Sequence, residues 1–362
     1  MKKAVVLKRV FASVGLFIAI VLLYLLLWPV KIDPAAWTPP DPPEPTGVYA
    51  ENNRLGGVEK LAEGCIAPEA VAIDQSGYIY TGLLSDGRIL RISPDGSVVE
   101  TFAQAGVPAG LKFDAAGNLV VADGKLGLIS VDRSGNITVL ADQVDGQPIR
   151  FADDLAIASD GKIYFSEAST KFGHEEVLAD FFEHRPNGRL LVFDPILKET
   201  RVLADQLYFA NGVALSPGED FVLVNETSRY RISRYWLSGE RAGTVDVFAD
   251  NLPGFPDNIT FNGHDTYWVA LVHGPKARAE SDPIMPKPFL RKVLWRLPGF
   301  MKPASQPEGY ILALDLDGNV RLTLQDPHGE AYPFPTSAIE HKGMLYLGSH
   351  ITDGIGRIPV PR

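Results

Sequence analysis

Oxygen-bearing side chains recur at one place in a motif that is repeated six times along the chain. Each copy is a short apolar segment, a turn that contains Gly or Asp, and a second apolar segment. In the first three copies this position lies eight residues before the turn glycine, at 69, 109 and 153. In the other three copies it is at the start of the first apolar segment. In chain order these residues are Glu69, Ala109, Asp153, Asn211, Asp257 with Asn258 beside it, and Pro335 or Thr336.

Carboxylates and amides at this position predict a site for a hard cation. Oxygen ligands without thiolates suit Ca²⁺ first, and Mg²⁺ or Mn²⁺ next. Carboxylates that converge in a poorly solvated space repel one another unless a cation lies between them. The alternative is that Asp and Asn merely cap turns, as they do in many proteins. Because four of the six copies share the feature, the cation is the better interpretation.

Titratable residues also end the second apolar segment of several copies. If that segment runs back toward the start of the first, these residues lie near the predicted cation site. Asp123 and His273 are candidate general bases, and Glu167, Glu226 and His350 are candidate substrate contacts, although a lone His after a strand commonly makes only a structural hydrogen bond. The full set is Asp123, Glu167, Asn225, Glu226, His273 and His350.

Composition and missing motifs exclude several other kinds of protein. The single cysteine, Cys65, rules out an intramolecular disulfide framework and a multi-cysteine metal site. Asp and Glu total 44 against 34 Lys and Arg, and no basic block lies in the body of the chain, so nucleic acid is a poor partner. The sequence has no G-x-S-x-G, H-E-x-x-H, P-loop or dinucleotide motif, which disfavours a serine hydrolase or a nucleotide enzyme.

The repeated motif itself reads as a β-hairpin. VAIDQSGYIYTG at 71–82 and LAIASDGKIYFSE at 155–167 place β-branched and aromatic residues on both sides of a tight turn. Each copy is followed by a second pair of strands, such as the pair in 88–103. Six units of four strands predict an all-β fold, a six-bladed β-propeller, in which the innermost strands line the central channel. The last unit is one strand short, and 57–63 can supply that strand and close the ring.

Two insertions interrupt the repeat. The first, 171–187, carries apolar residues at helical spacing, and within it Phe181 and Phe182 are candidate substrate or lid residues. The second, 274–308, contains KPFLRKVLWRLPGF at 287–300, which resembles a basic amphipathic helix. Such a helix suits a lid or a membrane surface. A helix that only packs on the propeller rim is the alternative.

The N-terminus predicts a membrane anchor. Residues 10–30 are uncharged and follow four bases, and a helix of this length crosses the hydrocarbon core. The apolar run is longer than that of a signal peptide and lacks a small-residue cleavage site. The positive-inside rule places the N-terminus in the cytoplasm and the body on the periplasmic or extracytoplasmic side. We expect a cytoplasmic tip and anchor at 1–31, a Pro-rich extended linker at 32–54 that spaces the body from the membrane, and the propeller at 55–362.

The blade starts resemble a known superfamily. A-P-E-A at 67–70, F-A-D-D-L at 151–155, F-A-N-G-V-A-L-S-P at 209–217 and P-D-N-I at 256–259 are similar to the strictosidine synthase-like, gluconolactonase and paraoxonase propellers. With the anchor, the chain resembles the adipocyte plasma membrane-associated type. The resemblance implies Ca²⁺ or a similar divalent ion in the channel. The implied ligands are Glu69, Asp153, Asn211 and Asp257, with Asn258 beside them.

Two residues depart from the family pattern. Asp153 stands where relatives commonly have Asn, which adds a negative charge to the site. Thr336 stands where strictosidine synthase itself carries its catalytic Glu, so a Pictet–Spengler condensation is not expected.

We therefore expect a metal-dependent hydrolase of small apolar esters or lactones, and the alternative is a non-catalytic, metal-stabilised binding module at the membrane surface. Neither the substrate nor the oligomeric state follows from the sequence.

Overall fold

A computed structural model of the chain describes residues 2–302 and 305–361. It begins with one long helix, α1 (Lys2–Leu27), of which Val6–Leu27 is long and apolar enough to cross a membrane. None of that window is buried against the rest of the protein. At about 1.5 Å per residue, its 22 residues span roughly the thickness of a hydrocarbon core. The helix fits the predicted membrane anchor.

The remainder of the described chain is mostly strands. In chain order they are β1 (Glu59–Ile66), β2 (Pro68–Ile73), β3 (Ile79–Leu83), β4 (Arg88–Ile92), β5 (Val99–Gln104), β6 (Pro108–Phe113), β7 (Leu119–Asp123), β8 (Gly127–Val131), β9 (Ile137–Ala141), β10 (Gln143–Val144), β11 (Gln147–Pro148), β12 (Ala152–Ile157), β13 (Ile163–Glu167), β14 (Gly188–Asp194), β15 (Glu199–Leu207), β16 (Ala210–Leu215), β17 (Phe221–Glu226), β18 (Arg231–Trp236), β19 (Val245–Ala249), β20 (Phe255–Phe261), β21 (Tyr267–His273), β22 (Gly309–Leu314), β23 (Val320–Asp326), β24 (Pro335–His341), β25 (Met344–Ser349) and β26 (Asp353–Pro359). Three further helices are α2 (Val177–Glu183), α3 (Pro275–Ser281) and α4 (Pro288–Trp295).

All of these strands except β10 and β11, which pair with each other, form six four-stranded antiparallel sheets, and the six-bladed propeller predicted from the repeat is confirmed. The first strands of the blades, β2, β6, β12, β16, β20 and β24, contact one another in sequence around the ring. The last blade has the order β1-β26-β25-β24, with Glu59 opposite Arg357. The strand from the start of the propeller sequence therefore completes the final blade, as predicted, and joins the two ends of the ring.

Apolar packing between neighbouring blades holds the ring together. Six clusters of buried side chains each combine residues of two successive blades, so every interface between blades has its own core. In the cluster between the fourth and fifth blades, Leu223 and Ile232 pack with Val269 and Leu312. Alternation along each strand produces these faces, because successive side chains point to opposite sides of a sheet.

Both predicted insertions connect the second and third strands of a blade. The apolar residues at helical spacing in 171–187 lie in α2. The basic amphipathic segment 287–300 forms α4, which is shorter than that segment and ends before Pro298. Because the second strand ends opposite the start of the first, as in the pairs Ala152↔Glu167 and Phe255↔His273, both insertions lie on the face where the innermost strands begin. We call this the upper face of the propeller.

The Pro-rich linker is extended but is not a free spacer. It crosses the upper face, where the amide of Ala35 donates to Glu183 O at 2.9 Å and that of Trp37 to Met285 O at 3.3 Å. Trp37 stacks on His184 with ring centroids 4.5 Å apart, and the buried guanidinium of Arg278 donates to Pro40 O at 2.6 Å. The sequence alone did not reveal this docking, because the partners belong to the two insertions, far away along the chain.

Candidate metal centre

A β-bulge at the start of each innermost strand positions the predicted ligands. The pairing with the second strand shifts between Pro68 and Val71, between Ala152 and Leu155, and at the same place in the other four blades. A bulge adds one residue to a strand and changes the direction in which side chains point. The residues within or beside the six bulges include Glu69, Asp153, Asn211, Asp257 and Asn258.

All five predicted ligands are buried, with exposed fractions of 3–5%. Glu69, Asp257 and His350 form one group in which a ligand atom from each lies within 4.8 Å of the others. The Nε2 atom of His350 is 3.6 Å from the Oε2 atom of Glu69. Asp153 falls outside that close group. The structure thus brings together the acidic residues of the first and fifth blades and adds a histidine that the sequence interpretation assigned to substrate contact.

The electrostatics of the cluster are those of crowded, buried acids. Burial raises the pKa of Glu69 well above its usual range, and the carboxylates of Asp257, Asp153 and Asp154 raise it further. Burial together with Asp257 and Asp154 does the same to the pKa of Asp153. Burial also raises the pKa of Asp257 to about 8, although a hydrogen bond from Asn211 opposes the shift.

The donor atoms fit a divalent cation. Buried oxygens of three residues in this region, Glu69 Oε2, Asn211 Oδ1 and Asn258 Oδ1, have no hydrogen-bond partner among the described residues. Buried polar atoms are rarely left unpaired in proteins, and a carboxylate cluster of this kind favours a positive charge between its members. The oxygen donors suit Ca²⁺, Mg²⁺ or Mn²⁺, whereas the imidazole of His350 adds a nitrogen donor that Ca²⁺ seldom uses.

Neighbouring polar side chains fix the backbone of two bulges. The Oγ1 atom of Thr336 and the Oγ atom of Ser337 donate to Glu69 O at 2.9 and 2.8 Å. Asn225 Nδ2 donates to Asp257 O at 2.5 Å. Thr336 is buried and, together with Ser337, holds the backbone of Glu69 in place. Asn225, which the sequence placed near this face, supports the other close acid.

Asp123 is not placed to act as a general base. Its carboxylate is fully buried and accepts four backbone N–H groups at 2.9 Å each, which come from residues 106, 107, 125 and 126. These bonds tie the end of β7 to the segment that enters β6. Because its acceptor sites are used by the backbone, the geometry assigns Asp123 a structural role and corrects the sequence prediction.

Glu167 and Glu226 are structural for the same reason. Glu167 accepts the amide of Arg150 at 2.8 Å and pairs with Arg189 at 2.5 Å. Glu226 accepts the amide of Tyr208 at 2.9 Å and pairs with Arg231 at 2.7 Å. An acid at the end of the second strand thus fixes the entry to the first strand in three consecutive blades. Both residues are fully buried and their carboxylates are occupied by these partners, which favours a structural role over the predicted substrate contact.

His273 remains a candidate base. Its ring packs edge-on against Phe255 and Phe334, with centroid distances of 5.9 and 5.2 Å, and its Nδ1 atom has no hydrogen-bond partner in the described structure. Burial lowers the pKa of His273 to about 4, so the imidazole is neutral at pH 7 with its Nδ1 atom unpartnered, and it is a weaker base than an exposed histidine.

A series of aromatic residues, which we call the collar, lies at the starts of four innermost strands beside the bulges, and the sequence interpretation missed it. Four phenylalanines each stand two residues before a bulge position, and neighbouring rings such as Phe151 and Phe209 lie 5.9 Å apart. Phe209 and Phe334 adopt left-handed φ values of 54° and 49°, which are unusual for bulky residues and are often found at functional sites. The four residues are Phe151, Phe209, Phe255 and Phe334. The signal was present in the repeat, as F-A or F-P two residues before Asp, Asn or Thr.

The two predicted lid residues have different places. Phe181 joins the collar, 4.8 Å from Phe209 and 6.1 Å from Phe255 between ring centroids. Phe182 points away and packs on Trp295 of α4 at 5.5 Å. His174, which the sequence interpretation left aside, packs edge-on against Phe151 at 5.5 Å. The first insertion thus contributes one aromatic wall of the collar and one contact to the second insertion.

Comparisons with known proteins agree with this architecture. Family profiles described as "Strictosidine synthase" and "Strictosidine synthase-like, N-terminal" match residues 153–240 and 47–92. The adipocyte plasma membrane-associated protein of Rattus norvegicus is 34% identical over 358 residues, covering 92% of this chain and 94% of its own. A gluconolactonase from Xanthomonas campestris has a TM-score of 0.61 at 18% identity, covering 92% of this chain and 99% of its own. Regucalcin from Agrobacterium tumefaciens, described as a calcium-binding protein, has a TM-score of 0.55 at 15% identity, covering 83% and 90%.

Proposed function

The chain belongs to the strictosidine synthase-like family, and from that membership we propose that it is a membrane-anchored, metal-dependent hydrolase of apolar esters or lactones. The observation that carries the proposal is the set of buried, unpartnered oxygens at the starts of the innermost strands, where the aromatic collar and the unpartnered imidazole of His273 also lie. The fold is shared with a gluconolactonase and with a calcium-binding regucalcin. The helix α1 would anchor the propeller on the extracytoplasmic side, as the positive-inside rule predicts.

The residues that would hold the cation are Glu69, Asp153, Asn211, Asp257 and Asn258, with His350 as an additional ligand. The chemistry that such a site supplies when loaded is polarisation of a carbonyl and stabilisation of the negative charge that develops on its oxygen. Ca²⁺ is our first choice because oxygen donors dominate the site.

The protein's own side chains perform the remaining steps. The collar of phenylalanines binds the apolar part of an ester or lactone and excludes water from it. His273, neutral at pH 7, accepts a proton from an attacking water at a ring nitrogen and returns it to the leaving oxygen. Asp123 has no part in this mechanism, because its carboxylate is occupied by backbone N–H groups.

A non-catalytic binding module is the second candidate. What favours it is the burial of the five oxygen-bearing ligands, which are only 3–5% exposed, whereas the side chain of His350 is 46% exposed. In that case the ion only stabilises the ring, and the fold by itself does not decide between the two functions.

The test uses the full chain in detergent, with metal content measured beside a panel of aryl esters and lactones. We expect chelation to abolish turnover and re-added Ca²⁺ or Mn²⁺ to restore it. Glu69→Gln should lose metal and turnover, whereas His273→Gln should keep the metal and lose turnover. His264→Gln is the matched control, because this exposed histidine lies in the hairpin turn at the opposite face. Bound metal without turnover on any substrate would refute the hydrolase and favour the binding module.

A further inference from the structure

The end of the membrane helix is bonded to the second insertion. The guanidinium of Arg296, just after α4, donates through Nε to Trp28 O at 2.7 Å and through Nη1 to Leu25 O at 2.9 Å. The hydroxyl of Tyr24 donates to Arg296 O at 3.2 Å. The last carbonyls of a helix lack partners within the helix, and here one arginine satisfies two of them. Arg296 therefore lies at the level where α1 leaves the bilayer.

Further contacts bring the first insertion to the same place. Lys31 pairs with Glu176 at 2.5 Å, and its ammonium lies 5.6 Å from the ring of Trp295. Asp33 pairs with Arg185 at 2.6 Å and with Lys292 at 3.3 Å. Both insertions belong to the upper face of the propeller, which is also the face of the metal cluster. The upper face therefore points toward the membrane that holds α1.

Large apolar side chains are exposed on this face. Phe300 is 89% exposed and Phe289 is 61% exposed, and both belong to the second insertion that Arg296 ties to the helix. Single exposed apolar residues are ordinary on protein surfaces, but these share one face and adjoin a membrane helix. We define the apolar rim as the following residues of the upper face: Leu178, Phe289, Phe300, Met301 and Ile351.

Basic side chains accompany the apolar rim, although the chain as a whole has a net charge of −10. The ammonium of Lys302 lies 4.7 Å from the ring of Trp295, and Lys292 of α4 is on the same face, where it pairs with Asp33. Cations and aromatic rings next to exposed apolar residues are typical of segments that lie in a lipid interface. This pattern favours an anionic lipid surface over a protein partner.

We propose that the apolar rim dips into the leaflet in which α1 ends, so that the site on the upper face takes its apolar substrate from the bilayer. The proposal rests on the anchor and on the hydrolase suggested above, and it adds the orientation of the propeller and the source of the substrate. The depth expected for such a contact is about 5–10 Å into the boundary between headgroups and acyl chains.

The experiment places the full chain in lipid nanodiscs of phosphatidylcholine and phosphatidylglycerol. One variant carries Phe300→Cys and the control carries Ile196→Cys, each labelled with an environment-sensitive fluorophore. Ile196 is 84% exposed, but it lies in the turn between β14 and β15 on the opposite face. The native Cys65 is buried, so it competes little for the label, and unlabelled background is checked on the wild-type chain.

Nitroxide lipids then quench the labels from within the membrane. We expect several-fold stronger quenching of the label at 300 than of the label at 196, and the reverse order with a water-soluble quencher. The opposing result is the same quenching at 300 and at 196 on chains that co-purify with discs, with both labels exposed to water. That result would overturn the rim contact but would not contradict the membrane anchor. Failure to co-purify with discs would overturn the anchor and the rim contact together. Neither result depends on turnover, so both are separate from the test of the hydrolase.

Discussion

Replacing Asp123 by Asn should destabilise the propeller and leave the chemistry of the upper face largely unchanged. The carboxylate accepts four backbone N–H groups, two on each oxygen, from the two loops that flank the second blade's inner strands. Asn has the same shape, so no cavity forms. One oxygen becomes an amide nitrogen, however, and two of the four N–H groups then face a donor instead of an acceptor.

The size of the effect follows from those two lost acceptors. An unsatisfied buried donor costs about 1–3 kcal/mol, and the loops give water partial access. We therefore expect a loss of roughly 2–4 kcal/mol in the free energy of unfolding, or a fall of roughly 3–6 °C in Tm for a domain of about 300 residues. The assay is thermal unfolding of the full chain in detergent, followed by tryptophan fluorescence, with metal content and ester hydrolysis measured below the transition.

Asp132→Asn is the matched control. Its carboxylate accepts the amides of Ser134 and Asn136 at 2.8 and 3.0 Å in a turn that water reaches. We expect a change below about 1 kcal/mol there. If Asp123→Asn unfolded like the wild-type chain but lost turnover with its metal retained, the carboxylate would be acting on the substrate and the structural assignment would be wrong.

Three further predictions concern the site. Gly212→Ala should destabilise the chain by about 1–3 kcal/mol and weaken metal binding, because a Cβ there would lie 2.5 Å from Asp257 O. Gly57→Ala is the control, because a Cβ there meets open space. Parallel calorimetric titrations should show weaker metal binding for Gly212→Ala and unchanged stability and metal binding for Gly57→Ala. The pKa of Asp257 is raised from 3.8 to about 8, so the metal-free protein should lose stability as pH rises through that interval. The gain in Tm on adding Ca²⁺ should therefore be larger at pH 8 than at pH 5. An equal gain at both pH values would contradict the link between ionisation of Asp257 and metal binding. Phe209→Ala should raise KM for an apolar ester about tenfold, since a buried aromatic ring contributes more than 1.4 kcal/mol, with little change for a small polar ester; equal effects on both substrates would speak against an apolar collar.

Much of the fold was readable from the sequence because a propeller is built from local hairpins. Alternating apolar residues and tight turns repeat six times, and each hairpin forms between neighbouring stretches of chain. The closing strand 57–63 could be assigned because the last unit lacked one strand. The positions of Glu69, Asp153, Asn211, Asp257 and Asn258 followed from the same periodicity, since equivalent residues of repeated blades occupy equivalent places around one axis.

Only the tertiary structure decided what the titratable residues do. Asp123, Glu167 and Glu226 occupy equivalent ends of second strands, as the repeat indicated, but whether a carboxylate faces the channel or the backbone depends on which loop packs against it. His350 approaches Glu69 because the ring brings the sixth blade beside the first, a contact between residues 281 positions apart. The sequence by itself determined the repeat and the oxygen-bearing side chains at one position of it. The closure of the ring and the docking of the insertions determined which side chains meet at the site, because those contacts join residues that no local sequence pattern relates.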